Sequence, residues 1–424
     1  MSIVHKKEFK KESKALIYPS STVLGYAHIY SLGVTDIPVV ALDARKCSNF
    51  KSRYVDEKYI IPDPLKDHEA FVDWLIEYGR KQEHKPVLFF AEDVYAYIAS
   101  LYQDELKPYF LYPFIDRGKI DIFFNKKIML KEATKTDINV PKTLFSPLTT
   151  IQVSQWKHYP ALIKPLVSRF NFQGKKLIDI QKFVRTFGGK AVQISNQEEL
   201  QHLMMRLIQE NIEYCLQEYI PGDATCLATC MFVADGNGCV PSCFVNWKLR
   251  QQPEDFGTCC VAASKYIKIL HDYVEQFTTV TKYTGPGGIE FKRNPNDQKW
   301  YFMEINPRSV FSLRMAPLNG VNLALQQYLL STGQELFHTR QRDSGRYWID
   351  IPGDLAGFRL RQKKRERRMK FWEIVKLYFY FNEAIFNWMD PHPGLIRMRE
   401  TFLNVIKFFI KKIRGEKCQS LGKY

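Results

Sequence analysis

The chain has 424 residues, 45% of them hydrophobic and 25% charged, proportions of a globular protein with room for two to four structural units, each with its own core. Its formal charge of +16 favours phosphate-rich partners such as nucleotides, nucleic acids or an anionic membrane surface. No stretch of about eighteen apolar residues runs without charge, the lysine-rich start from Met1 to Lys14 lacks an apolar core, and the nine cysteines are an odd number, so neither a membrane span, a secretory leader nor a disulfide scaffold is expected. A reducing cytoplasm is the expected compartment.

Residues 1–124 alternate apolar runs with amphipathic segments, the pattern of an α/β unit. Ala15-Leu16-Ile17-Tyr18 reads as a first strand, Thr22 to Leu32 as a helix ending near Gly33, and Ile37 to Asp43 and Val87 to Phe90 as further strands. Ligands in such sheets bind at the carboxyl ends of the strands, which makes Ser20, Ser21, Glu92 and Asp93 candidates for substrate contact, although caps and turns explain them equally well.

Residues 125–214 read as a second unit. Ala161-Leu162-Ile163-Lys164-Pro165 is a short apolar strand in which an ammonium is costly unless it faces anions, so Lys164 is a candidate phosphate ligand. Polar, glycine-containing loops follow at Ser168 to Lys176 and at Gly188-Gly189-Lys190, with Arg169, Lys175 and Lys176 as sources of positive charge.

The third unit, residues 215–340, carries the most specific signal. Gly288-Ile289-Glu290-Phe291-Lys292, a turn at Asn294-Pro295-Asn296-Asp297, and Trp300 to Arg308 form a hairpin pattern. Alternation puts Glu304 and Asn306 on one face, and counting through the turn places Glu290 opposite Glu304. Two facing carboxylates destabilise a strand pair unless a cation lies between them, and two carboxylates with an amide oxygen suit hard Mg²⁺, with Mn²⁺ as an alternative, rather than zinc. Arg308 adds positive charge just beyond. Cys226, Cys230, Cys239 and Cys243 flank a second hairpin turn at Asp235-Gly236-Asn237-Gly238. A Cys₄ zinc site and four small apolar strand residues are both open readings.

The strand ending Glu304-Ile305-Asn306-Pro307-Arg308 resembles the last catalytic strand of the ATP-grasp superfamily, and the chain is similar throughout, including a late Asp390-Pro391-His392-Pro393, to its carboxylate-amine ligases of the D-aspartate ligase type. That resemblance implies an ATP-grasp fold of mixed α/β and α+β class, with a Rossmann-like N-terminal unit, a mobile lid at 125–214 and a catalytic antiparallel sheet at 215–340. It implies ATP as cofactor, with Lys126, opening a helix after Asn125, and Lys164 on the phosphates. Leu216-Gln217-Glu218-Tyr219-Ile220-Pro221-Gly222 resembles the adenine hinge, Gln217 or Glu218 reading the amino group, Tyr219 and Ile220 flanking the ring, and Asp223 reaching for the ribose. Gln217 departs from the acidic residue usual there, leaving open which side chain reads the base. Lys248 and Arg250 resemble positions facing the triphosphate or substrate, and Arg308 would steady an acyl phosphate. The implied reaction joins a small carboxylate to an amine through an acyl phosphate, and a homodimer is an expected assembly.

The tail, residues 341–424, shifts in composition. Arg359 to Lys370 is strongly basic, and Phe371 to Met389 and Thr401 to Arg414 read as amphipathic helices that either pack on the body or lie on an anionic membrane. Since the charge excess concentrates there, nucleic-acid binding is not expected. Ala161-Leu162-Ile163-Lys164 with Asp255-Phe256-Gly257 imitates a protein kinase, but a His-Arg-Asp loop, a Gly-rich loop before Lys164 and a P-loop are all lacking. The remaining alternative to an enzyme is a nucleotide-binding scaffold at a membrane surface.

Overall fold

The computed structural model describes residues 9–167, 179–355 and 381–413. Arg169, Lys175, Lys176 and the basic stretch from 359 to 370 therefore lie outside the described residues, as does most of the expected helix from Phe371.

Strands β1 (Ala15–Tyr18), β2 (Val39–Asp43), β3 (Glu57–Ile60) and β4 (Val87–Phe90) form a parallel sheet in the order β3-β2-β1-β4. β1, β2 and β4 are buried along their whole length, which is why they read as continuous apolar runs. The helix Val23–Gly33 starts at Thr22, whose side chain accepts from the backbone of Gly25.

The second unit is a four-stranded sheet, β5 (Thr143–Phe145), β8 (Tyr214–Glu218), β6 (Ala161–Pro165) and β7 (Val192–Ile194), backed by the helices Asp179–Phe187 and Gln197–Gln209. It has a core of its own, built on Trp156, Ile163, Phe183, Leu200 and Leu216. β8 lies between β5 and β6, so the expected boundary after residue 214 cuts a strand of this sheet, and the hinge sequence belongs to the second unit up to Glu218.

The third unit is a seven-stranded sheet in the order β13-β12-β9-β10-β11-β14-β15. Its strands are β9 (Leu227–Asp235), β10 (Ser242–Gln252), β11 (Thr258–Ser264), β12 (Thr284–Arg293), β13 (Trp300–Asn306), β14 (Tyr347–Ile349) and β15 (Phe381–Glu383). The last two correct the expectation of a separate tail. β14 pairs antiparallel with β11, and β15 pairs parallel with β14 where a helix was expected. Arg397 forms ion pairs with Asp350 and Glu383, and the guanidinium of Arg314 donates to the carbonyls of Glu383 and Phe386, which fixes this segment against the sheet. Asp390 is fully buried and accepts from the hydroxyls of Tyr26 and Ser52 and the backbone of Arg53. Only then does the amphipathic helix Pro391–Ile413 begin.

The first and third units share two continuous cores. One joins Phe71, Leu88 and Phe110 to Phe232, Phe291 and Phe302, and the other joins Tyr26, Phe89 and Val39 to Met231, Phe244 and Tyr328. The four-stranded sheet has a separate core, while Met129, Leu130, Ala133 and Ile138 just before it pack into the first of the shared ones.

Candidate active site

A cavity of about 520 Å³ opens where the second unit meets the seven-stranded sheet. β12 and β13 supply its floor. Glu290 lies opposite Glu304 and Gly288 opposite Asn306, and both carboxylates and the amide line the cavity. Their mutual repulsion is offset within the chain by Lys248, whose ammonium lies 2.8 Å from Glu290 Oε2 and 3.2 Å from Gln251 Oε1. Lys248 is 4% exposed. Burial, the largest single influence, lowers its pKa, but the charge and hydrogen bond of Glu290 together with Cys259 and Glu304 outweigh it and the pKa is raised.

The second unit supplies the roof. Lys164 on β6 and Lys126 at the start of the helix Lys126–Ala133 both line the cavity, as does Lys190 from the glycine-containing loop. Burial lowers the pKa of Lys164, and the nearby Lys126 charge lowers it further. Lys164 donates to Gln217 Oε1 at 2.8 Å while Gln217 Nε2 donates to Thr143 Oγ1 at 3.1 Å. These two bonds fix the amide's orientation. Gln217 faces the cavity, whereas Glu218, one residue on in the strand, points to the other face, 3.9 Å from His158. Tyr219, Ile220 and Asp223 line the cavity as expected, although Asp223 also caps the short turn Ala224–Cys226 by accepting from Thr225.

Arg250 departs from expectation. Strand alternation from Lys248 predicts a cavity-facing Arg250, but the pairing of β10 with β11 shifts register between Lys248 and Arg250 and again before Gln251. The irregularity rotates the strand, so Gln251 takes the cavity position. Arg250 is not among the lining residues, and its guanidinium makes two hydrogen bonds to Asp354, at 2.7 and 2.6 Å. It braces β10 against the segment after β14.

Arg308 sits at the far end of the cavity, 8% exposed, with burial lowering its pKa to about 10. It pairs with Asp93 of the first unit, Nε to Oδ1 at 2.6 Å, and donates to Ser309 O at 2.8 Å and to Asn306 Oδ1 at 3.5 Å. Asp93, 3% exposed, opens the helix Asp93–Leu101 after β4. A carboxyl-end residue of the parallel sheet thus reaches the site by holding Arg308.

Lys292 was not anticipated. It lies two residues beyond Glu290 on β12, lines the cavity, is 8% exposed, and its ammonium sits 4.6 Å from the ring centre of Tyr219. Burial lowers its pKa to about 8. The reasoning that singles out Lys164, a lysine inside an apolar strand, applies to it as well. Glu254, Asp255 and Thr258 add to the polar lining, as do Asn246, Thr229 and Ser312, and nothing in the local sequence of these last three marks them.

The four cysteines do not converge. Cys230 and Cys243 are buried in neighbouring strands, Cys239 is exposed at the hairpin turn, and Cys226 lies against the Gly222 turn. Among the described residues, no group of three or more His, Cys, Asp or Glu side chains is placed to hold a metal ion. The Glu290, Glu304 and Asn306 set, with two acidic members and one amide, is of a different composition.

Residues 260–339 match the family model described as carbamoyl-phosphate synthase L chain, ATP binding domain. In backbone the chain is similar to the L-amino acid ligase of Bacillus licheniformis, with a TM-score of 0.55 and 13% identity over 76% of this chain and 75% of that one. The chain has the ATP-grasp fold. A similar likeness holds for the biotin carboxylase domain dimer of the Hydrogenobacter thermophilus 2-oxoglutarate carboxylase in complex with MgADP, ADP and bicarbonate, with a TM-score of 0.58 and 15% identity over 80% of this chain and 74% of that domain. In sequence, 315 residues are 24% identical to the D-aspartate ligase of Enterococcus faecium, covering 69% of this chain and 72% of the relative. These ATP-grasp relatives are ligases.

Proposed function

We propose that the protein is an ATP- and Mg²⁺-dependent carboxylate-amine ligase acting through an acyl phosphate. The observation that carries this is the opposition of Glu290 and Glu304, with Asn306 alongside, under a roof bearing Lys126 and Lys164. The donor set fits the metal, since it offers only oxygens, of the hard type magnesium takes. Glu290, Glu304 and Asn306 would hold it, and when bound it supplies charge to the phosphates of ATP. Lys126 and Lys164 would bind and orient those phosphates from above, and Gln217, Tyr219 and Ile220 would receive the base. Transfer of the γ-phosphoryl group to a substrate carboxylate gives ADP and an acyl phosphate, and attack by an amine forms the amide and releases phosphate. Arg308, held by Asp93, would stabilise the charge on the acyl phosphate. Lys248, paired with Glu290, would offset that carboxylate's charge when no cation is bound.

The substrate carboxylate we propose is that of an amino acid, another small metabolite or a cell-envelope precursor. The test is phosphate release from ATP and Mg²⁺ with amino acids offered in pairs, and product mass for any active pair. A nucleotide-binding scaffold would bind ATP and release no phosphate with any pair. A kinase-type phosphotransferase would yield a stable phosphorylated product and no amide.

We further propose that the chain attaches peripherally to anionic membranes. Leu395, Phe402 and Ile406, spaced along one side of the helix Pro391–Ile413, are 53%, 65% and 38% exposed, and Trp388 just before them is 86% exposed. No helix of the described residues is long and apolar enough to cross a membrane. Self-association into a dimer through the same surface would instead leave the protein in solution with anionic and neutral vesicles alike.

A further inference from the structure

A second concavity lies on the outer side of the catalytic sheet, away from the nucleotide cavity. It measures about 490 Å³, and its walls come from β10, β13, the β12–β13 turn and the segment before the helix Lys268–Thr281. Two tryptophans, Trp247 and Trp300, meet edge to face within it at 5.8 Å, and Tyr273 completes an aromatic wall. Three cations surround them. Lys265 lies 4.1 Å from the ring centre of Trp247, and Arg293 and Lys299 stand at the rim. No carboxylate is among the lining residues. Of the acids nearest in sequence, Asp297 accepts from Lys299 N and the hydroxyl of Tyr301 and partly offsets Lys299, and Asp272 pairs with Lys268.

Trp247 is held in place by donating its indole N–H to the carbonyl of Thr225, and Trp300 by the sheet. Both rings are therefore pre-set, and since Trp300 is only 8% exposed, the half-buried Trp247 is the ring a flat ligand can reach. Lysine and arginine at the rim, with Lys299 partly offset by Asp297, select for negative charge.

We infer that this concavity is a binding site for a small planar aromatic anion, a ring bearing a carboxylate or a phosphate, distinct from the nucleotide and metal site. The ring packs against Trp247, beside Lys265, and the anion meets Arg293, Lys299 and Lys265. Nucleoside monophosphates and simple aromatic acids share this chemistry, and the two arms of the test separate them.

The test is tryptophan fluorescence and calorimetric titration of the full-length protein, saturated with a non-hydrolysable ATP analogue and Mg²⁺ so that the nucleotide cavity is filled. The probes are uridine monophosphate in one arm and indole-3-carboxylate in the other, with inorganic phosphate and indole as controls for charge and ring alone. Expected is saturable binding of at least one aromatic anion, about tenfold tighter than either control, and a further loss of about tenfold in the surface variant Arg293→Gln/Lys299→Gln, which leaves both tryptophans intact. Whichever arm binds identifies the ligand class. The inference is overturned if both anions bind no better than phosphate or indole, if the double variant binds them as the parent does, or if binding vanishes when the ATP analogue is present, since that places it in the nucleotide cavity. Because no residue of that cavity is altered, failure here leaves the ligase reading standing, and failure of ligase activity leaves this site testable.

Discussion

Replacing Asp93 by Asn isolates the contact through which the first unit touches the site. In the parent, Arg308 faces Asp93 at 2.6 Å through Nε and 3.3 Å through Nη2, and the two side chains are 9% and 3% exposed. Removing one charge of such a pair strands the other in a poorly solvated place, and losses of roughly 3–5 kcal/mol are typical. Arg308 retains Ser309 O and opens on one side to the cavity, so the lower end applies, about 3 kcal/mol. The assay is urea unfolding of the four members of a cycle: parent, Asp93→Asn, Arg308→Met and the double variant. Expected is a large loss for Asp93→Asn and a partial recovery in the double variant, where no orphaned guanidinium remains. The ligase activity of Asp93→Asn should fall as well, because Arg308 is no longer aimed. If the two single effects simply add, with coupling under roughly 0.5 kcal/mol, Asp93 does not hold Arg308 and the reasoning fails.

Glu304→Gln and Asn306→Ala should each lower substrate-dependent ATP turnover at least about a hundredfold with an unchanged circular dichroism spectrum, and parental turnover in either would remove them from the metal set. Lys164→Ala should weaken ATP binding in calorimetry about tenfold, whereas unchanged affinity would leave its bond to Gln217 as its whole role. Lys292, with its pKa lowered to about 8, should make ATP affinity fall as pH rises through that value, because the ammonium that attracts phosphate is lost, and Lys292→Met should flatten the profile. The sign for stability is opposite: between about 8 and the ordinary 10.5 the unfolded chain holds a proton that the folded one does not, so this residue makes stability rise with pH there. Anionic vesicles should sediment the intact protein, and Phe402→Asp/Ile406→Asp should release it. An intact protein that stays in solution, or one that sediments equally with neutral vesicles, counts against the membrane proposal.

The hairpin of the candidate site was legible in outline because a turn of Asn, Pro and Asp joins two strands of alternating pattern. Strict counting from that turn puts Glu290 opposite Met303, and an irregularity between Glu290 and Phe291, which the sequence does not announce, shifts it onto Glu304. The buried parallel strands were legible as short apolar runs. What escaped depends on partners distant in sequence. β3 is a mostly exposed edge strand whose Glu-Lys-Tyr-Ile has no alternation to read. β15 takes strand form only because β14 offers it a neighbour, and its sequence alone reads as part of a helix. Arg250 was misplaced because a bulge, which no residue between Lys248 and Gln251 announces, turns it toward Asp354. Asp93 was legible as a strand-end candidate, but its partner Arg308 lies 215 residues away.

Asp390 gives the chain a temporal constraint. Its carboxylate serves Tyr26, 364 residues earlier, and Ser52, 338 residues earlier. A chain growing from a ribosome completes the strands and helices of its first unit long before residue 390 emerges, yet the buried hydroxyls of Tyr26 and Ser52 must wait for that carboxylate. Closure over so long a separation is slow, and the two cores shared with the seven-stranded sheet leave apolar surface uncovered in the interval. A stop codon anywhere upstream of Asp390 therefore leaves Tyr26 and Ser52 without the carboxylate that receives their hydroxyls.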